Sequence, residues 1–163
     1  MHIRKAEIDD LEALLAIYNY EIEHGVATFD LYPATLAERR IWFDEHNVGN
    51  HPLLVAECDG HIAGYASLSA FREKTAYDST VELSVYVNTG DRRRGVATAL
   101  MHAILELARR DPRTHVVVSV ITSGNDVSVK LHETFGFTYC GTIHEAGFKM
   151  GSYRDVLYYE LAV

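Results

Sequence analysis

The chain has 163 residues, with 15 Lys and Arg against 23 Asp and Glu, a formal net charge of −8 and 48% hydrophobic residues. That size suits one domain spanning residues 1–163, that composition is too apolar for intrinsic disorder, and the acidic balance excludes a nucleic-acid binder built on a basic face. No run approaches the roughly 18 to 20 apolar residues of a membrane span, and Met1-His2-Ile3-Arg4-Lys5 leads into a polar stretch with no apolar leader, so the cytoplasm is the expected compartment. Cys58 and Cys140 sit in apolar runs without CxxC spacing and read as buried thiols in a reducing environment.

In chain order, the first strand is expected over His2 to Ala6. Asp9 then caps a helix whose Leu11, Leu14, Leu15, Tyr18 and Ile22 recur at three and four, until Gly25 ends it. The aromatic but aperiodic segment Val26 to Pro33 reads as an ordered loop. A helix from about Thr35 to His46 follows, with Thr35 and Glu38 spaced as a capping box. Leu53 to Glu57 and Ile62 to Phe71 are apolar runs joined by Asp59-Gly60, a hairpin signal, and Thr80 to Val87 continues as a third strand.

Gly95 to Arg110 reads as a long helix with Val96, Leu100, Ile104 and Leu107 on one stripe. His115 to Ile121 is then a buried strand, and Asn125 to Phe135 a short helix closed by Gly136 in a left-handed conformation. Two last strands are expected, Phe137 to His144 and about Arg154 to Leu161. Strands outnumber helices, and the class is mixed α/β (α+β).

The chemistry concentrates where the third strand meets the long helix, at Val85-Tyr-Val-Asn-Thr-Gly-Asp-Arg-Arg-Arg-Gly-Val-Ala97. A helix start leaves backbone amides without internal partners and carries partial positive charge, so this junction suits an anion. Gly95 permits close approach, and Arg92, Arg93 and Arg94 add charge. Neither a Walker loop nor a dinucleotide fingerprint is present. The competing reading is a strand–helix turn with a solvated arginine run.

Arg92-x-x-Gly95-x-Ala97 resembles the Q/R-x-x-G-x-G/A pyrophosphate-binding motif of the GCN5-related N-acetyltransferases, the GNAT superfamily. Asn125-Asp-Val-Ser128-Val-Lys-Leu131-His132-Glu-Thr-Phe-Gly136-Phe137 resembles the second acetyl-CoA element of the same superfamily. Ile17-Tyr-Asn19, Ala27-Thr-Phe29, Glu38-Arg-Arg-x-Trp-Phe43, Phe71-Arg72, Thr80 to Val87 and Gly147-Phe-Lys-x-Gly151 are similar to the phosphinothricin and methionine sulfoximine N-acetyltransferases within it.

The resemblance implies a central, mostly antiparallel sheet that splays between two strands to take acetyl-CoA, with helices on its faces. Val85, Tyr86 and Val87 would bond the pantetheine and thioester region, and Arg92, Arg93, Arg94, Gly95, Val96, Ala97 and Thr98 would cradle the pyrophosphate. Asn125, with Ser128, would bond the pantetheine arm; an ordinary helix N-cap is the alternative for Asn125. Because an ammonium has no lone pair, direct attack on the thioester needs a proton acceptor. Glu82, in an apolar strand, is the candidate base. Its alternative is an outward carboxylate paired with a neighbouring cation. The Val85 N–H is the candidate oxyanion donor.

Where many relatives place a tyrosine that protonates the CoA sulfur, this chain has His132, which either donates a proton or packs beside the cofactor. The resemblance places Phe29, Arg72, Lys74, Tyr77 and Lys149 around the acceptor, with Arg72 suited to carboxylate or tetrahedral side-chain oxygens. A solvated strand-end charge is the alternative for Arg72. No metal-ligand pattern occurs among the other histidines. A small-molecule amine is the expected partner, in a homodimer. Two readings compete: acetylation of another amine such as a polyamine, an aminoglycoside or a protein N-terminus, and a non-catalytic acetyl-CoA-sensing module.

Overall fold

The computed structural model describes all residues from Met1 to Val163. One seven-stranded sheet runs through it in the order β1-β2-β3-β4-β5-β7-β6. The strands are β1 (His2–Lys5), β2 (Leu53–Cys58), β3 (His61–Ala70), β4 (Thr80–Val87), β5 (Val116–Thr122), β6 (Thr138–Lys149) and β7 (Ser152–Ala162). The helices are α1 (Leu11–His24), α2 (Leu36–Asp44), α3 (Val96–Arg110) and α4 (Asp126–Thr134). Every neighbouring pair is antiparallel except β4 with β5, which α3 connects as the crossover a parallel pair requires.

The two faces of β4 separate two cores. Val81 and Leu83 are buried on the α3 face, with Val96, Leu100, Met101, Ile104, Leu105 and Ala108 of that helix. Tyr65 of β3 and Tyr86 of β4 face the other way, toward Leu14 and Ile17 of α1 and Trp42 of α2. Period-2 alternation therefore places Glu82 and Ser84 on the α1–α2 face.

Several expectations are corrected. Asp9 does not cap α1: a single 3-10 turn, Ile8–Asp10, comes first, and Glu7 and Asp10 form its capping box. Leu107 is exposed, because the buried stripe of α3 turns through Met101, Leu105 and Ala108. The thiol of Cys58 is buried, but Cys140 is exposed beside a bulge in β6. That strand runs five residues past His144, and the register shifts between Tyr139 and Gly141 and between Ile143 and Gly147 broke the alternation that would have shown its length. By contrast Asp59 and Gly60 both have positive φ, 50° and 79°, as the hairpin required.

The start of α2 follows the predicted capping box. Thr35 Oγ1 accepts from the Glu38 amide at 3.2 Å, and the Thr35 amide donates to Glu38 Oε2 at 2.8 Å. Thr35→Ala is expected to lower Tm by about 2–4 °C through loss of this cap, as a thermal melt would record; an unchanged melt would assign α2 to tertiary packing alone.

Candidate active site

The parallel pair β4–β5 is bonded only at its beginning, Thr80 to Glu82 against Val116 to Val118. Beyond Glu82 the strands part, leaving Leu83 to Val87 without a partner on the β5 side while β3 still holds the other edge. The result is a V-shaped notch with unpaired backbone along one arm, and Glu82 stands at its apex. Buried peptide groups rarely stay unpaired, so such an edge asks for a ligand. Ser119, the first β5 residue past the apex, is buried, and its hydroxyl has no partner within the chain. Sequence reasoning did not single it out, because a lone serine in an apolar strand carries no pattern.

Burial raises the pKa of the Glu82 carboxyl, while the positive charge of Arg72 pulls the other way. Its cross-strand neighbour is Ser69, whose hydroxyl is hydrogen-bonded to His46 Nε2 at 2.8 Å. The outward ion pair considered for Glu82 is absent: the carboxylate makes no salt bridge and lies half-buried.

At the open end of the notch, Gly95 caps α3 in the left-handed region, with φ 80° and no atom within 4 Å of where a Cβ would stand. The first intrahelical bond runs from the Ala99 amide to the Gly95 carbonyl at 3.0 Å, so the amides of Val96, Ala97 and Thr98 precede the ladder. Three orphan donors at the positive end of a helix make an anion cradle. Two of the three arginines are paired within the chain. Arg92 is paired with Glu21 of α1, and Arg94 with Asp91 at 2.6 Å and Asp59 at 3.3 Å. Glu21 and Asp59 come from distant segments, whereas Asp91 belongs to the same turn as Arg94. Only Arg93, also at positive φ, has no carboxylate partner.

On α4, Asn125 Oδ1 accepts from the Ser128 amide at 3.3 Å, the N-cap role foreseen as its alternative. His132 is buried edge-on against Phe137, with ring centroids 5.0 Å apart. Its Nδ1 lies 2.7 Å from the Ser128 carbonyl, which only accepts, so Nδ1 carries the proton and Nε2 a lone pair. Burial lowers the imidazole pKa against the opposing effect of that bond. A neutral ring with this tautomer presents a lone pair at Nε2, the arrangement of the packing alternative for His132 rather than of the proton donor.

The residues expected around the acceptor form two groups. Arg72 stacks on Phe71 with its guanidinium carbon 4.9 Å from the ring centroid, Phe71 meets Tyr77 edge-on at 5.8 Å, and Lys74 stands next to them, exposed. Phe29 instead lies on Gly147, where a Cβ would fall 2.7 Å from its ring, and Lys149 Nζ donates to the Thr28 carbonyl at 2.7 Å. These contacts strap the Val26 to Pro33 loop to β6. None of the five lines the cavity of about 440 Å³ on the α1–α2 face of β4, which is bounded by Tyr18, Asp30, Arg39, Trp42, Tyr65, Ser67, Ser84 and Tyr86. A larger depression of about 820 Å³ lies at the far end, where Lys5, Asn50 and Arg113 meet the C-terminus of α3. It touches neither the notch nor the α3 N-terminus, whereas the smaller cavity reaches the β4 edge at Ser84 and Tyr86.

Residues 3–158 match the family model described as an acetyltransferase (GNAT) domain. The chain is 38% identical over 160 residues to the L-methionine sulfoximine/L-methionine sulfone acetyltransferase of Pseudomonas paraeruginosa, covering 98% of this chain and 92% of that one. Its fold superposes with a TM-score of 0.94 on the ribosomal-protein-alanine N-acetyltransferase of Brucella melitensis, 36% identical with complete coverage of both chains. The phosphinothricin acetyltransferase of Sinorhizobium meliloti, solved in complex with AcCoA, gives a TM-score of 0.92 at 32% identity, covering 99% of this chain and 88% of that one.

Proposed function

Because this chain belongs to the GNAT acetyltransferase family, we propose that its single domain, residues 1–163, acetylates the amino group of a small amino-acid analogue of the phosphinothricin, methionine sulfoximine or methionine sulfone kind. The observation that carries the reading is the half-buried carboxylate of Glu82 at the apex of the strand notch, two residues along the same strand face from Ser84 in the wall of a polar cavity of small-molecule size. The unpaired β4 edge, the open Gly95 cradle and the orphaned Ser119 hydroxyl fit acetyl-CoA.

When bound, acetyl-CoA supplies an electrophilic thioester carbonyl. The backbone of Val85, Tyr86 and Val87 and the side chains of Asn125 and Ser128 would hold its arm, and the amides of Val96, Ala97 and Thr98, with Gly95 and Arg93, would hold the pyrophosphate. Arg92 and Arg94 reach it only by leaving their carboxylates. The Val85 N–H would be the donor to the thioester carbonyl oxygen. Glu82 takes a proton from the acceptor ammonium, directly or through water, freeing the nitrogen lone pair; as the C–N bond forms the C–S bond would break, and the CoA thiolate would depart and take up the proton that the nitrogen loses, through water. The raised pKa of Glu82 brings it closer to the amine and improves the match. Arg72 holds an anionic end of the acceptor near Glu82, with Lys74 and Tyr77 beside it and Phe29 and Lys149 shaping the loop wall.

His132 packs beside the site. His132→Phe is expected to leave kcat within about threefold; a loss of about 100-fold or more, the scale of general acid catalysis, would restore it as the donor. A cytoplasmic homodimer completes the proposal. Two free cysteines support the reducing compartment, and the exposed Tyr139, Ile143, Phe148 and Tyr153 along β6 and β7 support self-association.

Thiol release from acetyl-CoA, ranked by kcat/KM over phosphinothricin, methionine sulfoximine, methionine sulfone, spermidine and an N-terminal peptide, tests the function. Leading values for the amino-acid analogues uphold it. A lead for spermidine or the peptide would keep the cofactor half alone, and silence from every acceptor despite acetyl-CoA binding would point to a sensing module.

A further inference from the structure

Arg39 is buried at 5% exposure, yet it has no carboxylate partner. Its guanidinium carbon lies 3.4 Å from the ring centroid of Trp42, 4.5 Å from that of Tyr18 and 5.3 Å from that of Tyr65. Its one hydrogen bond runs from Nη2 to Tyr65 Oη at 2.7 Å, and Nε has no partner at all. Aromatic faces offset part of the cost of burying this cation, but they accept none of its N–H bonds in the plane of the fork. Arg39 also lines the cavity that Ser67 and Ser84 share. Those two serines face each other across β3 and β4, and Ser84 follows Glu82 by two residues on one face, roughly 7 Å along the strand. The carboxylates on the cavity wall are engaged elsewhere: Asp30 accepts from Tyr18 Oη at 2.5 Å, and Glu38 closes the α2 capping box.

We infer that Arg39 is a specificity residue for the acceptor: with the hydroxyls of Ser67 and Ser84, it binds a tetrahedral phosphorus or sulfur group bearing acceptor oxygens, at the end of the acceptor side chain remote from the amine. This rests on the proposed function. An acceptor whose amine meets Glu82 and whose carboxylate meets Arg72 extends its side chain along β4, and the tetrahedral group arrives a few bonds on, where Ser84 and Arg39 stand. A planar fork with free N–H groups pairs with two oxygens on one centre, and its buried donors are left unpaired by an acceptor lacking them.

Methionine sulfone and methionine differ only by those oxygens and make the test. The wild type is expected to favour the sulfone by about 100-fold in kcat/KM. Arg39→Gln is expected to bring that ratio within about threefold by loss on the sulfone alone, with the KM for acetyl-CoA unchanged. Arg39→Lys keeps the charge and the stem but not the fork, and lands between; it reads the same ratio should the glutamine variant fail to fold. Equal loss on both acceptors, or retained selectivity, would overturn the assignment in favour of a structural role. Trp42, the only tryptophan, lies against Arg39, so its fluorescence reports ligand at this position without turnover. If no amino-acid analogue is acetylated, the proposed function fails, and the fluorescence titration still decides Arg39. A quench by methionine sulfone that methionine does not produce and Arg39→Gln abolishes upholds it; no such difference overturns it.

Discussion

Glu82→Gln is expected to lower kcat by about 100-fold to 10,000-fold at neutral pH, with little change in the KM for acetyl-CoA. The amide has the shape of the carboxylate but accepts no proton, so acceptors present as ammonium ions lose their route to a nucleophile. In the wild type, activity is expected where Glu82 is ionised and is expected to fall as pH drops through its pKa. Burial places that acidic limb above the ordinary carboxylate value of 4.5. Arg72→Ala removes the field that opposes burial, so its acidic limb moves further up. The same sign governs stability. A carboxyl whose folded pKa exceeds its unfolded one disfavours folding once pH rises through the folded value, so Glu82→Gln should hold or raise Tm at neutral pH. Undiminished kcat would remove Glu82 as the base, and a fall in Tm would show that the carboxylate is structural.

The second large effect is expected at Gly64, in β3 opposite Val87. A Cβ there would stand 2.6 Å from the Tyr86 carbonyl oxygen, 3.1 Å from Val96 Cγ1 and 3.2 Å from Val87 Cα. Two of these atoms are backbone and cannot rotate away. The added methyl would wedge the end of β4 from the first residue of α3, the two elements that supply the notch edge and the anion cradle. Gly64→Ala should therefore cost about 1–3 kcal/mol, lowering Tm by about 2–10 °C, and raise the acetyl-CoA KM by about tenfold. Gly90→Ala is the control, since its Cβ would meet only Asn88 Oδ1 at 3.9 Å and its φ is not positive. Equal melting points and acetyl-CoA KM values for the two variants would show that this contact does not set the notch.

Local codes were legible along the chain. The Asp59-Gly60 turn, the Thr35–Glu38 box, the left-handed Gly136 and the apolar stripe that makes α3 depend on residues close in sequence, whose conformational preferences act before any tertiary contact forms. Residue-by-residue resemblance marked Glu82 and the Gly95 junction, and the structure places both at the notch.

Contacts between distant segments were a different matter. Glu21 lies 71 residues from Arg92, and Asp59 lies 35 residues from Arg94; only folding set these carboxylates beside the arginines. The ring environment of Arg39 draws Tyr18, Trp42 and Tyr65 from α1, α2 and β3, so a motif arginine on a short helix gave no sign of being a buried cation. His132 read as an open choice because its tautomer and pKa depend on burial and on the Ser128 carbonyl. The sequence by itself determined the order and type of the main elements, the family and the type of chemistry, since these rest on local pattern and residue identity. Tertiary structure alone decided which charges are free to meet a ligand, because desolvation and pairing depend on what folding brings within a few ångströms.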